Sequence, residues 1–427
     1  MSEKTVLQIS RRSLIQAMGG AAAVAAFATA RSGQLVSAQD VVKASIWGNH
    51  PEWKDPMQEI IDAFQTANPN IQLELTMLTG PDYTTKLQTA VAGGQPSDII
   101  GIGAGDIINK WVPSGDPPFI DLTDAVDISG LTDAAKLQVV VDGRTYAVPL
   151  AAYTVGVATN NTVLAKYNIA PPTTWDELKA AAQTISEGGD AGLVLGGKDW
   201  VHTFFMYIGL ASSVLGFDGI NQIRSGERKL TDPDLVAAAQ LLLDMQPFYN
   251  AGFQATDYAT AKAIFANGQG AMMVAGTADY TGYREVNPDA DLGFVAWPGP
   301  AAGQSATTTG HELLYGVSKF SSPEVQAAAT TFVAWLATTD AQQLVSDKIA
   351  LPINVNVTSS VDPIRQATIT AASGGDVPVW YEIPELAAVG TAVQDNFGAL
   401  WAGELDAAGW AAVMQAAVVP SAATPTA

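Results

Sequence analysis

The sequence predicts an α/β protein of two domains, each a mostly parallel sheet flanked by helices. Three observations carry this. The chain has 427 residues, enough for two cores. Between residues 41 and 102, short apolar runs alternate with helix-period stretches in the order β-α-β-α-β. Glycines follow the third apolar run, at the carboxyl end of a strand, where open α/β sheets bind ligands.

Composition narrows the function. A net charge of −21 argues against nucleic acid and anionic membrane surfaces as partners, and for a soluble monomer. With no cysteine, disulfides, thiolate metal sites and a lipid-modified N-terminal cysteine are excluded. His50, His202 and His311 are not spaced as a local metal cluster, and no cofactor is expected. No dinucleotide, P-loop, zinc-protease, nucleophile-elbow or EF-hand motif is present.

Residues 1–38 read as an export signal. Ser10-Arg11-Arg12-Ser13-Leu14-Ile15-Gln16 resembles a twin-arginine signal, and an alanine-rich apolar run follows to Ala30. Val36-Ser37-Ala38 suits signal peptidase; an uncleaved anchor is the alternative.

Val41 to Trp47 is the first strand, followed by the loop Gly48-Asn49-His50-Pro51-Glu52-Trp53. Met57, Ile60, Ile61 and Phe64 repeat at helical spacing until Asn68-Pro69. Ile71, Leu73, Leu75 and Met77 alternate with polar residues, as in a half-buried strand. Asp82 suits the N-cap of the next helix, whose Leu87, Ala90 and Val91 share a face and whose end is Gly93-Gly94. Asp98 to Ile102 is short and apolar, as a strand covered on both faces should be.

Trp47, Asn49 and His50 stand at the carboxyl edge of this sheet, with Tyr83 and Asp106. A sugar needs flat apolar surfaces for its C–H face and fixed donors and acceptors for its hydroxyls. Trp with Asn, Asp and His supplies both. The competing reading buries Trp47 in the core and leaves His50 solvated.

The series Tyr83, Lys86-Leu87, Ala90, Ala92-Gly93-Gly94, Pro96 and Asp98-Ile99-Ile100 resembles the family 1 extracellular solute-binding proteins of ABC importers, the sugar-binding relatives of maltose-binding protein. Ser97 is the one departure. Later stretches keep step with that family. They are Asp142-Gly143 through Val148-Pro149, Pro171 through Leu178, Phe265 through Gly276, Gly310 through Lys319, Phe332 with Trp335-Leu336, and Leu351-Pro352. Within them Thr174 and Glu177 form a capping box, and Trp175 reads as core. Arg144 to Pro149 reads as a strand stopped by proline, Asp291 to Trp297 and Leu313 to Ser318 as later strands.

The resemblance implies a two-lobed periplasmic-binding-protein fold. Residues 39–149 plus 279–317 would form the N-terminal lobe, and 150–278 plus 318–419 the C-terminal lobe. Crossovers would lie near 148–153, 274–279 and 316–320, with a flexible tail at 420–427. The implied role is not catalysis. It is capture of a small-molecule carbohydrate, a disaccharide or oligosaccharide, and its delivery to the transmembrane permease subunits of an ABC transporter. The implied location is the periplasm or the outer face of the cytoplasmic membrane.

For the ligand site, Trp47, Tyr153, Trp297 and Trp380 are expected to stack on the sugar. Asn49, His50, Asp82, Asp106 and His311 are the expected polar contacts, although Asp82 also serves as a cap. Gly276 and Thr277 would offer backbone N–H groups at the cleft floor. Two alternatives remain: an exported glycosidase, which needs two carboxylates at a set separation, and a binding protein for a non-sugar solute such as a metal.

Overall fold

A computed structural model describes residues 41–373 and 375–421. The export signal expected over 1–38 lies outside the described residues.

In the first lobe, β1 (Val42–Gly48) pairs in parallel with β2 (Ile71–Met77) on one edge and β3 (Ile99–Ile102) on the other. The helix Lys54–Ala67 buries Met57, Ile60, Ile61 and Phe64, the four residues at helical spacing. β3 is buried along its whole length, covered on both faces. Gly101 in its centre is required. A Cβ there would stand 2.6 Å from the Trp47 carbonyl oxygen and 2.9 Å from the Tyr315 ring.

The next helix, Gly80–Ala92, starts earlier than expected. Thr79 holds the N-cap position, and Asp82 sits inside the first turn, accepting the Thr79 hydroxyl at 2.6 Å. An acid there suits the positive end of the helix, which explains why it resembled a cap.

Two short strands, β4 (Val140–Val141) and β5 (Arg144–Thr145), form a separate ladder. β6 (Val148–Asn160) follows. Pro149 therefore opens a strand of 13 residues rather than closing one; proline is tolerated at the beginning of a strand. The remaining strands are β7 (Ala191–Val194), β8 (Gly270–Gly276), β9 (Leu292–Val295), β10 (Trp297–Pro298), β11 (Ser305–Val317) and β12 (Asp376–Pro378). One sheet runs β2-β1-β3-β11-β6-β8-β7, with β9 on β6 and with β10 and β12 on β11.

β6 and β11 thus join the lobes. Val148, Leu150 and Ala152 pack in the first core, together with Leu313, Tyr315 and Val317. Val155, Val157 and Ala306 pack in the second. The hinge is where the two cores part, at 152–155 on one strand and 306–313 on the other.

This moves several expected boundaries. Gly276 is no crossover, because β8 pairs with β6 only at 155–159, inside the second lobe. Tyr280, Tyr283 and Phe294 belong to a further core beside β8, and Trp297 to the second core, so 279–306 leaves the N-terminal lobe. The helices Pro323–Leu336 and Thr339–Lys348 go the other way. They give Phe332, Val333, Leu336 and Val345 to the first core. The chain crosses back between Ile353, in the first core, and Ile364, beside Tyr280 and Tyr283.

The second lobe is centred on the helix Trp200–Ser225, which bends at Gly216 with φ 57°. It is long and apolar enough to cross a membrane by length and composition, but 72% of its apolar window is buried within the lobe, so it serves as a core helix. The expected tail is tied down at its start. The Val419 N–H donates to the Glu385 carbonyl and the Ser421 N–H to the Arg224 carbonyl, both at 2.9 Å.

Candidate functional site

The site is built on the hinge ladder. β6 and β11 run antiparallel, with Tyr153 opposite Gly310 and Ala151 opposite Glu312. Directly paired residues share a face, and neighbours along a strand alternate. Tyr153 and Glu312 therefore project to one side, here called the front. Thr154, Thr309 and His311 project to the back.

A cleft of about 820 Å³ opens on the front. His50 and Trp53 line it from the first lobe, Tyr153 and Glu312 from the hinge, and His202, Phe205, Tyr258 and Gly276 to Asp279 from the second lobe.

His50 sits in the loop after β1. Its Nδ1 meets Glu52 Oε1 at 2.7 Å and its Nε2 meets Glu312 Oε2 at 2.8 Å. The ring stacks on Trp53, with centroids 4.2 Å apart and planes 15° apart. Burial lowers the imidazole pKa, but the two carboxylates, Glu312 foremost, outweigh it and raise the value above that of free histidine. Each ring nitrogen faces a carboxylate oxygen, so both are placed to donate when the ring is protonated.

Tyr153 lies over Gly310, and its hydroxyl meets that of Tyr381. Tyr381 is 37% exposed and stacks on Phe204, with centroids 5.9 Å apart. On the second-lobe wall, Asp279 accepts the Tyr258 hydroxyl, and the Gly276 N–H at 2.6 Å. Burial raises the Asp279 pKa, and these two hydrogen bonds pull it part of the way back. His202 donates from Nδ1 to the Gly196 carbonyl at 3.1 Å, and burial lowers its pKa. Its neutral tautomer leaves Nε2 as an acceptor beside Tyr258, whose ring is 5.2 Å away.

Of the eleven residues expected at the site, His50, Tyr153, Gly276 and Thr277 line the cleft. The glycine and threonine do so differently from the expectation. The Gly276 N–H is held by Asp279, and the Thr277 N–H donates to the Thr154 carbonyl at 3.1 Å, so neither is free for a ligand. Trp47 is half-buried against the first-lobe core, with the Lys86 ammonium 3.8 Å from its ring centre. Asn49 is half-buried, its Oδ1 sealed without a partner. Asp82 is exposed on its helix, and Asp106 is half-buried, its pKa raised by burial. None of these four lines the cleft.

Three expected contacts are structural. Trp297 is fully buried against Gly209, where a Cβ would stand 2.2 Å from its Nε1. Trp380 is fully buried too, donating from Nε1 to Ser212 Oγ at 3.3 Å and packing edge-on to Tyr207. Both are large apolar rings that the second core uses as filling. His311 is on the back of the ladder. Its N–H donates to Glu382 Oε1 at 2.9 Å, and its Nδ1 lies 3.1 Å from Glu382 Oε2.

Sequence reasoning missed Glu52, Trp53, Glu312, Phe205, Tyr258 and Asp279. Glu52 and Trp53 were in the loop already singled out. Glu312 adjoins His311, and a strand assigned through 305–312 would have put the two on opposite faces.

The cleft presents aromatic faces (Trp53, Tyr153, Phe205, Tyr258), carboxylates and a neutral imidazole acceptor, while the cations that line it, Arg284, Lys348 and Arg365, are engaged by Asp362, Glu59 and the Asp347 carbonyl. That set suits a polyhydroxylated ligand with apolar C–H surfaces. No cluster of three or more metal-ligating side chains occurs among the described residues.

Residues 59–371 match the family of bacterial extracellular solute-binding proteins. The chain is 24% identical over 330 residues to the multiple sugar-binding protein of Streptococcus mutans, covering 75% of this chain and 76% of that one. It superposes on the apo form of RafE from Streptococcus pneumoniae with a TM-score of 0.75 at 20% identity, covering 90% of this chain and 98% of that one. For RafE in complex with raffinose the TM-score is 0.67 at 20% identity, covering 88% of this chain and 98% of that one. The family match spans most of the chain, the superposed structures share its fold, and the cleft lies where two lobes meet on shared strands: the chain belongs to the bacterial extracellular solute-binding proteins.

Proposed function

We propose that this protein captures an uncharged sugar of disaccharide or oligosaccharide size between its two lobes, outside the cytoplasm, and presents the closed form to the permease of an ABC transporter. The observation that carries the reading is the makeup of the cleft. Tyr153 and Glu312 rise from the strands that join the lobes, and each lobe adds an aromatic wall, Trp53 on one side and Phe205 with Tyr258 on the other. A ligand there touches both lobes only when they are shut, so binding shifts the population toward the closed form. The cleft volume falls within the ~300–1,000 Å³ of small-molecule sites. Two relatives support the ligand class: one is named a multiple sugar-binding protein, the other was solved with raffinose.

The test is titration calorimetry of the monomeric chain against mono-, di- and oligosaccharides. One sugar class should bind and be recovered unchanged by chromatography. Tyr153→Ala should weaken that binding tenfold or more, about 1.4 kcal/mol. Unaltered affinity would remove Tyr153 from the site. Binding only of a non-sugar solute would keep the fold and overturn the sugar assignment.

A further inference from the structure

The hinge ladder has a second cavity, on the face opposite Tyr153. It holds about 720 Å³. Its floor is Thr154, Thr309 and Asp376, and strand register puts these on one face, since Thr309 pairs with Thr154 and Asp376 with Thr307. Leu131 and Leu351 wall it from the first lobe, Leu215 and Phe217 from the second.

Its polar groups are unevenly satisfied. The hydroxyls of Thr154 and Thr309 bond each other at 2.8 Å. Asp376 Oδ1 is buried with no hydrogen-bond partner. Among the described lining residues Lys136 is the one base, and it is ion-paired with Asp133 at 3.2 Å. Asp218 adds a further acid at the rim. The cavity is thus an apolar-walled space whose floor carries a carboxyl with one oxygen unpartnered, the Thr309 hydroxyl and the nearby His311 ring supporting the group from the ladder side. Apolar walls weaken screening and strengthen the pull on a cation.

We propose that this back cavity is a second ligand site, for a small organic ammonium ion with an apolar body, and that its occupant opposes closure of the front cleft. The ammonium lies toward Asp376 and the apolar body against the leucines and Phe217. The second half rests on the closure reading above. The two cavities lie on opposite faces of one ladder, so a rotation that brings the front walls together draws the back walls apart. An occupant touching both lobes at the back loses contacts in that rotation. By linkage, sugar and amine then weaken each other by the same factor.

Titration calorimetry of the full chain with benzylammonium chloride tests the site, with benzyl alcohol as the neutral counterpart. Benzylammonium should bind at least tenfold more tightly than the alcohol. Asp376→Asn, which keeps the shape, should cost at least tenfold in that affinity. Phe217→Ala should cost severalfold, and it serves as the test should the asparagine variant fail to fold. No binding to the parent chain, equal binding of the alcohol, or unchanged binding in both variants would overturn the site. So would loss of binding in Glu312→Gln with Asp376→Asn unaffected, which would put the amine in the front cleft. None of this needs a sugar. A chain that binds the amine but no sugar would keep the site and sink the sugar reading. Sugar affinity unchanged by saturating benzylammonium would overturn the opposition to closure.

Discussion

The front and back of the hinge ladder are made from the same short stretches of two strands, and they differ in kind. On the front, Tyr153 and Glu312 face open space, and their polar atoms meet Tyr381, on the short 3-10 helix Trp380–Glu382, and His50, in the loop after β1. On the back, Thr154 and Thr309 bond each other, and His311 is sealed against Glu382 at 0% side-chain exposure. On the front the two side chains stand in the cleft; on the back Thr154, Thr309 and His311 are tied to one another or to Glu382, and the carboxyl proposed to hold a ligand, Asp376, comes from a third strand, β12. One residue of displacement along a strand separates the two roles.

That contrast can be broken from the back with the largest effect. His311→Ala removes the ring from a buried pair and leaves the Glu382 carboxyl with the His311 backbone N–H as its remaining partner there. A loss of about 3 kcal/mol in urea unfolding is expected, as for other buried pairs that lose one member. A loss under ~0.5 kcal/mol, the scale of ordinary surface substitutions, would show that the back face is not the structural one.

A smaller effect is expected on the front. At Gly310 an added Cβ would lie 2.1 Å from the Tyr153 ring. Gly310→Ala should cost ~1–3 kcal/mol through overpacking and should weaken sugar binding because it lifts Tyr153 off its seat. Stability lost with binding intact would separate the tyrosine from the ligand.

The smallest effect is a pH dependence. The His50 pKa is raised on folding by Glu312 and Glu52. Its contribution is therefore fully present below the unfolded value of ~6.5 and fades as pH climbs through the raised folded value. The stability difference between the parent and His50→Gln should be largest near pH 6 and shrink toward pH 9, staying under ~1 kcal/mol because the pair is partly solvated. A difference that grows with pH would contradict the assignment.

Much of the first lobe was legible because its signals are local. The apolar spacing of Met57, Ile60, Ile61 and Phe64 named the buried face of a helix directly. The hinge was not legible in the same way. Ser305 to Glu312 is small and polar, so it carries no apolar alternation, yet it forms the first part of β11. Its pairing is fixed by β6, far away in sequence, and by Gly310 fitting beneath Tyr153. Missing that register put His311 in the cleft and left Glu312 out. The tryptophans misled for another reason. A large flat ring fits a sugar face and a lobe interior equally well. Composition could not tell that Trp297 would fill the space over Gly209 while Trp53 would stay on the rim beside His50.

The sharing of β6 and β11 between two cores bears on how the molecule comes apart. Each strand has one end packed in the first core and the other in the second. Neither lobe can melt without stripping the neighbouring half of both strands of its support. Despite its length the chain should therefore unfold in one calorimetric transition, its van't Hoff enthalpy matching the measured heat. Amides at 152–155 should exchange only through that global event. A fragment ending at residue 153 would own half of β6 and none of β11, and should not fold at all.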